Sequence, residues 1–295
     1  MSQQETEYLT TRELAELLRI KERKVYDLAA SGQIPCSRAM GKLLFPRQEI
    51  QAWLARESSG GEQPGVARRP DVLLGSYEPL LEWALRESGC GLATLLDGSM
   101  DGLERFVRGE GLATGLHVYD PASDEWNVPL VAARFAHAPV ALIEFGWRER
   151  GLIVAPGREA DFAEPTALRG RRLVPRQDGA GSQVLLDHLL AQAGLEAQDV
   201  QWAGTARTES DAALAVLEGK ADATLGLRAM AAQLRLGFVP LLRERYDLLV
   251  DRAAWFDPPM QQLIRFCRSA AFQAKAADLA GYRIDGFGEV RFNGA

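Results

Sequence analysis

The stretch Arg172-Leu173-Val174-Pro175-Arg176-Gln177-Asp178-Gly179-Ala180-Gly181-Ser182-Gln183 carries the densest chemical signal in this 295-residue chain. A short apolar strand runs into a glycine-containing loop, and a helix is expected from about Gln183 to Ala193. Glycines let a ligand approach the backbone, and the N–H groups of a first helical turn face an anion. Ser182 adds a hydroxyl donor. The loop has neither the Gly-Lys-Ser/Thr of a Walker A motif nor the dinucleotide GxGxxG. Gly179, Gly181 and Ser182 are therefore candidate anion ligands, with a purely structural turn as the alternative. Arg176 either contacts the ligand or pairs with Asp178 or Glu209 at the surface.

Two further junctions have the same character. Gly75-Ser76-Tyr77-Glu78-Pro79 follows one expected strand and Asp97-Gly98-Ser99-Met100 follows the next. At the carboxyl ends of strands in an α/β sheet such junctions gather where ligands bind. Ser76 and Ser99 are thus candidate donors, or else ordinary helix caps. Three serine-bearing helix starts in one crevice could hold an oxyanion with neutral donors alone. Thr208, Glu209, Arg228 and Tyr246 stand at comparable junctions and complete the candidate set. Trp83, Trp126 and Trp202 are expected in the core.

The elements that must position these residues alternate strand and helix, the pattern of a parallel or mixed α/β sheet. Strands are expected at 72–74, 92–96, 116–119, 140–145, 152–154, 172–174, 200–202, 223–225, 238–242 and 248–250. Helices are expected at 78–87, 100–108, 183–193, 211–218 and 228–236, and near 259–268 and 270–280. Before them lies Ser58-Ser59-Gly60-Gly61-Glu62-Gln63-Pro64-Gly65, whose composition reads as a flexible linker. The expected division is a first unit over 1–58, a linker over 59–69 and a second unit over 70–295.

The first unit reads as three short helices and a hairpin. Thr10-Thr11-Arg12-Glu13 fits a capping box, followed by an apolar face of Leu14, Leu17 and Leu18. A second helix is expected from about Glu22 to Ser31, with Val25, Leu28 and Ala29 inward and Gly32 as its stop. Ile34-Pro35 and Leu43-Leu44-Phe45 read as two strands, and Pro46 as the start of a third helix. Two helices joined by a tight turn can set the second in the major groove. There Lys21, Arg23, Lys24 and Tyr26 are the candidate DNA contacts, and Arg38 and Lys42 would touch DNA from the hairpin. A helical bundle that contacts another protein is the competing reading.

Composition narrows the rest. The apolar fraction is 47% and the charged fraction 25%, ordinary for a globular protein with proper cores. Net charge is −6. Residues 1–58 hold nine Lys/Arg against eight Asp/Glu, so the remainder carries −7. Such a chain is no bulk polyanion binder, and DNA contact must come from a confined surface. The start, Met1-Ser2-Gln3-Gln4-Glu5-Thr6-Glu7, lacks the pattern of a secretory signal, and no apolar run suits a bilayer. Cys36, Cys90 and Cys267 are scattered, which suits a reducing compartment and offers no zinc site. A cytoplasmic location is expected, with no cofactor, no membrane partner and no catalytic Ser/His/Asp or Cys/His set.

Two resemblances sharpen this. Tyr8-Leu9-Thr10-Thr11-Arg12-Glu13-Leu14-Ala15-Glu16-Leu17-Leu18, Val25-Tyr26, Gly32-Gln33-Ile34-Pro35, Phe45-Pro46-Arg47 and Ala52-Trp53-Leu54 together resemble the MerR/excisionase family of winged helix-turn-helix domains. Two departures stand out: Lys21 replaces the usual Ser/Thr cap, and Glu22 and Asp27 dilute the positive charge of the second helix. One module should bind DNA weakly, so a homodimer or higher homo-oligomer on a double-stranded operator with paired half-sites is expected. Gly75-Ser76, Leu81-Glu82-Trp83-Ala84-Leu85, Asp97-Gly98-Ser99-Met100-Asp101-Gly102-Leu103, Glu125-Trp126-Asn127-Val128-Pro129, Arg176 to Ser182 and Ala221-Asp222-Ala223-Thr224-Leu225-Gly226 resemble the periplasmic-binding-protein-like domain, over about 70–290. The resemblance implies a type II two-lobed α/β fold similar to molybdate- and tungstate-binding proteins. Its lobes would span about 70–148 with 247–295, and about 149–246, with hinge crossings at Val140–Val154 and Tyr246–Val250. The same fold hosts some transferases. The implied function is a regulator that senses molybdate or tungstate and controls metal-oxyanion uptake or molybdenum/tungsten enzyme genes; the alternative ligand is an organic anion or a molybdenum-cofactor-related molecule. Neutral donors around a small tetrahedral space would favour the oxyanion. A larger cleft with an arginine at its base would favour a carboxylate.

Overall fold

The computed structural model describes residues 8–39, 41–57 and 68–295, apart from the side chains of residues 38, 39, 52 and 55–57. The chain separates into two compact units, Met1–Arg68 and Arg69–Ala295.

The first unit begins with β1 (Tyr8–Thr10), α1 (Thr11–Leu18) and α2 (Glu22–Ala30). It continues with β2 (Ser37–Ala39), β3 (Lys42–Pro46) and α3 (Arg47–Glu57). The capping box closes as its residue types require: the Thr10 hydroxyl accepts from Glu13 N at 3.3 Å, and Thr10 N donates to the Glu13 carboxylate at 2.7 Å. Two placements differ from expectation. The first hairpin strand lies at 37–39, because Pro35 removes a ladder donor. Tyr8–Thr10 adds a third strand against β3, giving the order β1-β3-β2. Leu14, Val25, Ile34, Phe45 and Ile50 form the core, while Leu17 is half exposed.

The second unit opens with β4 (Val72–Gly75), α4 (Pro79–Ser88), β5 (Ala93–Leu95), α5 (Ser99–Val107) and β6 (Ala113–Leu116). A small ribbon of β7 (Tyr119–Asp120) and β8 (Glu125–Trp126) and the helix α6 (Val128–Phe135) lead into β9 (Val140–Val154). Then come β10 (Arg172–Val174), α7 (Gly181–Gln192), β11 (Gln201–Trp202), α8 (Glu209–Leu217), β12 (Ala223–Leu227) and α9 (Arg228–Leu234). The chain closes with β13 (Gly237–Asp251), α10 (Pro258–Cys267), α11 (Ala270–Asp278), β14 (Tyr282–Arg283) and β15 (Val290–Asn293). Arg69, expected at the end of the linker, is tied into this unit through the Phe106 and Gly111 carbonyls and Asp251.

The main path of the sheet runs β11-β10-β12-β9-β13-β6-β4-β5. Parallel pairs lie on its two flanks, β10 with β11 and β12 on one and β4 with β5 and β6 on the other. Between them run β9 and β13, antiparallel and 15 residues each. This is a two-lobed architecture. Lobe I packs Leu73, Leu81, Phe145, Leu248 and Phe272 in one cluster, and lobe II packs Leu152, Leu173, Leu186 and Leu225 in another.

The sequence suggested two separate strands in each of these long elements, with breaks at the charged stretches between them. Both run unbroken. Arg148 faces Glu244 directly in the β9–β13 register, so the charges that looked like loop neutralise one another across the ladder.

Candidate functional site

Strand ends and helix starts of both lobes come together beside the hinge strands. Gly75 carries the chain out of β4 at φ +109°, and a Cβ there would sit 2.3 Å from the Gly115 carbonyl oxygen. Only glycine allows β4 to turn this close to β6, and the turn delivers Ser76. Ser76 precedes α4, whose N-cap is Glu78 and whose first residue is Pro79, so its hydroxyl is not spent on capping. That hydroxyl lies 2.8 Å from His117 Nε2. Ser99 opens α5, and its Oγ accepts the His117 backbone N–H at 3.2 Å. Lobe II contributes the Gly179–Ser182 turn. Gly181 is the first residue of α7, and a Cβ on it would lie 2.7 Å from the His117 carbonyl oxygen. Gln177 Nε2 donates to the Asp97 carbonyl at 2.9 Å, a second link between the lobes. Ser76, Ser99 and the glycine turn therefore do converge, with His117 between them.

Below this contact lies a buried chain of charges, of which sequence reasoning named only Arg176 and Glu209. Arg148 Nη2 donates to Glu244, and Arg150 Nε donates to the second Glu244 oxygen at 2.6 Å. Arg150 Nη1 and Nη2 reach Glu209 Oε1, both at 3.0 Å, and Arg176 Nη1 stands 3.3 Å from the same oxygen. At the other end Arg148 Nη1 is 3.8 Å from Glu78 Oε1. Arg148 also lies over the Tyr246 ring, 4.7 Å from its centroid. Arg148 and Arg150 are 2% and 0% exposed, and Glu244 is 0%.

Burial sets the first-order electrostatics. It raises the Glu78 carboxyl above its ordinary range, against the pull of Arg148. At Glu244 burial also pushes upward, but Arg148 and Arg150 outweigh it and hold the carboxyl well below the usual range. Glu209 behaves likewise, lowered on balance by Arg150 and then Arg176. His117 is depressed chiefly by burial, which overrides Glu244, so the imidazole is held neutral. Its Nδ1 is 3.2 Å from Glu244 Oε2, close enough for attraction but not aligned for a hydrogen bond.

Several buried polar atoms here lack hydrogen-bond partners among the described residues: Arg148 Nε and Nη1, His117 Nδ1 and Glu209 Oε2. Native interiors leave few such atoms, and each calls for an explanation.

Of the remaining expected site residues, Arg176 and Tyr246 lie against the site, whereas Thr208 and Arg228 spend their side chains elsewhere. Arg176 is mostly buried and donates to the Ala206 and Arg207 carbonyls besides facing Glu209. Ser182, second in α7, is 2% exposed, while Gly179 is exposed at φ +78°. Thr208 is an exposed N-cap whose hydroxyl accepts from Asp211 N at 3.0 Å. Arg228 pairs at the surface with Glu149 at 2.7 Å. Tyr246 is wholly buried, and its hydroxyl donates to the Ser76 carbonyl at 2.6 Å. Beside the neutral donors that the sequence suggested stand the buried guanidinium groups of Arg148 and Arg150. A signal for the missed residues exists: Arg148 and Arg150 two apart in one long apolar strand, and Glu244 and Tyr246 two apart in the other, share one face at period two.

In the first unit, Lys21 is exposed as the N-cap of α2, Arg23, Lys24 and Tyr26 are exposed along it, and Lys42 is exposed on β3. Arg38 lies on β2 opposite Leu43; its side chain is outside the described residues.

Residues 82–268, well over half of the chain, match the family model of the PBP superfamily domain. The chain belongs to this family. Residues 8–58 of this PBP-superfamily protein match a helix-turn-helix domain. It is 26% identical over 307 residues to the Bacillus subtilis (strain 168) protein named uncharacterized protein YvgK, covering 97% of this chain and 98% of that one. Among solved structures it is similar to a Clostridium perfringens substrate-binding protein with bound phosphate, at 11% identity and TM-score 0.51 over 72% of this chain and 99% of that one. It is also similar to the Synechocystis PCC6803 CcmR regulatory domain in complex with 2-PG, at 11% identity and TM-score 0.50 over 70% and 96%. At such identities these likenesses show the fold alone. The two domain types are DNA-binding and binding-protein types, the make-up of a ligand-responsive DNA-binding regulator. Among the described residues no helix is long and apolar enough to cross a membrane.

Proposed function

We propose that this PBP-superfamily protein is a cytoplasmic transcription regulator whose second unit closes its lobes on a small organic acid. The bound acid changes how the first unit engages a double-stranded operator. One observation carries the ligand class: beside the hinge Arg148 is buried, and its Nε has no hydrogen-bond partner among the described residues. A guanidinium presents parallel donors that match a carboxylate. Ser76 and Ser99 are already engaged with His117, which weakens the case for a cage of neutral hydroxyls. Arg176, Glu209 and the Gly179-Gly181-Ser182 turn complete the site.

Molybdate or tungstate is the second reading, favoured by the buried Ser182 in the first turn of α7. It would make the regulated genes those of metal-oxyanion uptake or of molybdenum and tungsten enzymes. On the DNA side, Lys21, Arg23, Lys24 and Tyr26 enter the major groove while Arg38 and Lys42 meet the backbone. Glu22 and Asp27 limit a single α2, so the operator-bound species is a homodimer or higher homo-oligomer.

The test is a thermal-shift screen of the full chain with small carboxylates, molybdate, tungstate, sulfate and phosphate. A ligand at a hundred times its dissociation constant adds about 2.7 kcal/mol of stability. A shift with a carboxylate is the expected result. A shift with molybdate or tungstate alone selects the second reading, and no shift with any compound contradicts a cleft that senses anions.

A further inference from the structure

In lobe I, α10, α11 and the segment 282–287 enclose a cavity of about 540 Å³, within the range of small-molecule sites. Its described lining shares no residue with the cleft site. Ala276, Tyr282, Ile284 and Phe287 give it an apolar wall, and Arg268 and Gln273 stand exposed at the rim. The rim charges are unequally committed. Asp285 is taken up by Arg283 at 2.7 Å, whereas the Arg268 side chain has no hydrogen-bond or ion-pair partner among the described residues. Its guanidinium lies beside Gly288, where a Cβ would come 3.8 Å from Nη2. An apolar wall with one uncommitted guanidinium at its mouth matches a molecule with an apolar body and a single carboxylate.

The same segment is seated on the hinge. In the β14–β9 ladder Tyr282 lies opposite Arg148, and Arg283 opposite Trp147. Gly146 makes room for it on β9: a Cβ there would meet the Arg283 carbonyl oxygen at 2.9 Å and Ile284 Cγ2 at 3.2 Å. The Tyr282 hydroxyl donates to Glu78, whose carboxyl stands 3.8 Å from Arg148. The wall of the cavity and the hinge strand are thus one packed unit.

We propose that this cavity is a second small-molecule site, for an amphipathic carboxylic acid whose chain packs on Tyr282, Ile284 and Phe287 and whose carboxylate meets Arg268. Because that wall is paired to β9, an occupant holds the hinge strand more firmly and biases the motion of the lobes. The binding itself is independent of the cleft ligand; its effect on lobe motion rests on the reading above.

The experiment is calorimetric titration of the full chain with octanoate, compared with octanamide and acetate. Octanoate should bind at least about tenfold tighter than octanamide, which has the chain but no charge, a difference of about 1.4 kcal/mol. Acetate, which has the charge but no chain, should bind at least tenfold more weakly as well. Arg268→Gln should erase the preference for octanoate over octanamide, and Ala277→Trp, at an exposed position of the lining, should abolish octanoate binding. Gly181→Asp, in the cleft, should leave octanoate binding unchanged. Bound octanoate should slow amide hydrogen exchange at residues 144–148 of β9. Octanoate binding that is lost with Gly181→Asp and kept with Ala277→Trp overturns the second site and leaves the cleft reading standing. Equal affinity for octanoate and octanamide, or no binding of octanoate, overturns the proposal outright. Unchanged exchange in β9 overturns the link to the hinge. The wild-type comparison with octanamide decides the matter even if Ala277→Trp fails to fold.

Discussion

In the first unit, Lys21, Arg23 and Lys24 stand in solvent on one short helix; in the second, Arg148 and Arg150 are sealed in the middle of a long strand against Glu244 and Glu209. Both arrangements suit recognition of an anion, in opposite ways. Exposed cations keep their hydration and meet a polyanion through counterion release, which costs the fold nothing and makes binding salt-dependent. Buried cations have given up hydration and are held by partners, so the fold depends on them and their few unmatched N–H groups become selective. The first unit can lose a charge and stay folded. The second cannot.

The contrast yields graded expectations. Arg150→Met leaves Glu244 and Glu209 buried without their common partner, and should lower the stability of the second unit by about 3–5 kcal/mol in urea unfolding. A loss under about 1 kcal/mol would mean the network is not structural. Gly181→Asp should cancel the stabilisation given by the cleft ligand, about 2.7 kcal/mol at a hundred times its dissociation constant, since the new Cβ meets the His117 carbonyl. Thermal shift with and without ligand reads this, and an unchanged response would move the site elsewhere. The pair Arg23→Ala and Lys24→Ala should weaken binding to a duplex selected from a random pool by about 2 kcal/mol and flatten its salt dependence. Stability should change by no more than about 0.5 kcal/mol. Unchanged DNA affinity would remove α2 from the interface.

The smallest effect is a pH slope. His117 is held neutral when folded, its pKa depressed below the ordinary 6.5. Below about pH 6.5 the unfolded chain gains a proton that the folded one refuses, so stability falls with falling pH, by at most about 1.4 kcal/mol per unit. His117→Gln should lose that part of the slope between about pH 6.5 and pH 5. An unaltered slope would assign it to other groups, Glu244 first.

The same contrast explains what could be read from the sequence. The first unit is built from local signals: the Thr10–Glu13 capping box closes over three residues, and Gly32 ends α2 at φ +69°. The exposed basic residues of α2 follow from its own periodicity. Ser76, Ser99 and the Gly179–Ser182 turn were likewise visible as strand-to-helix junctions, and the fold brings them to one point. Arg148, Arg150 and Glu244 were not visible, because a charge inside a strand reads as a break until its partner is known. Those partners lie far away in sequence: Glu244 is 94 residues from Arg150, and the Tyr246 hydroxyl reaches a carbonyl 170 residues back. Local pattern carries no information about such pairings. Thr208 and Arg228 show the converse, junction residues whose side chains are used by a cap and a surface ion pair.

The claim on which the rest depends is that the buried cleft and the exposed helix belong to one switch. The direct test is the affinity of the full chain for its selected duplex, titrated with and without a saturating cleft ligand. Duplex affinity should change by about 5- to 150-fold, with the duplex altering ligand affinity by the same factor. Identical duplex affinity in both titrations would contradict it.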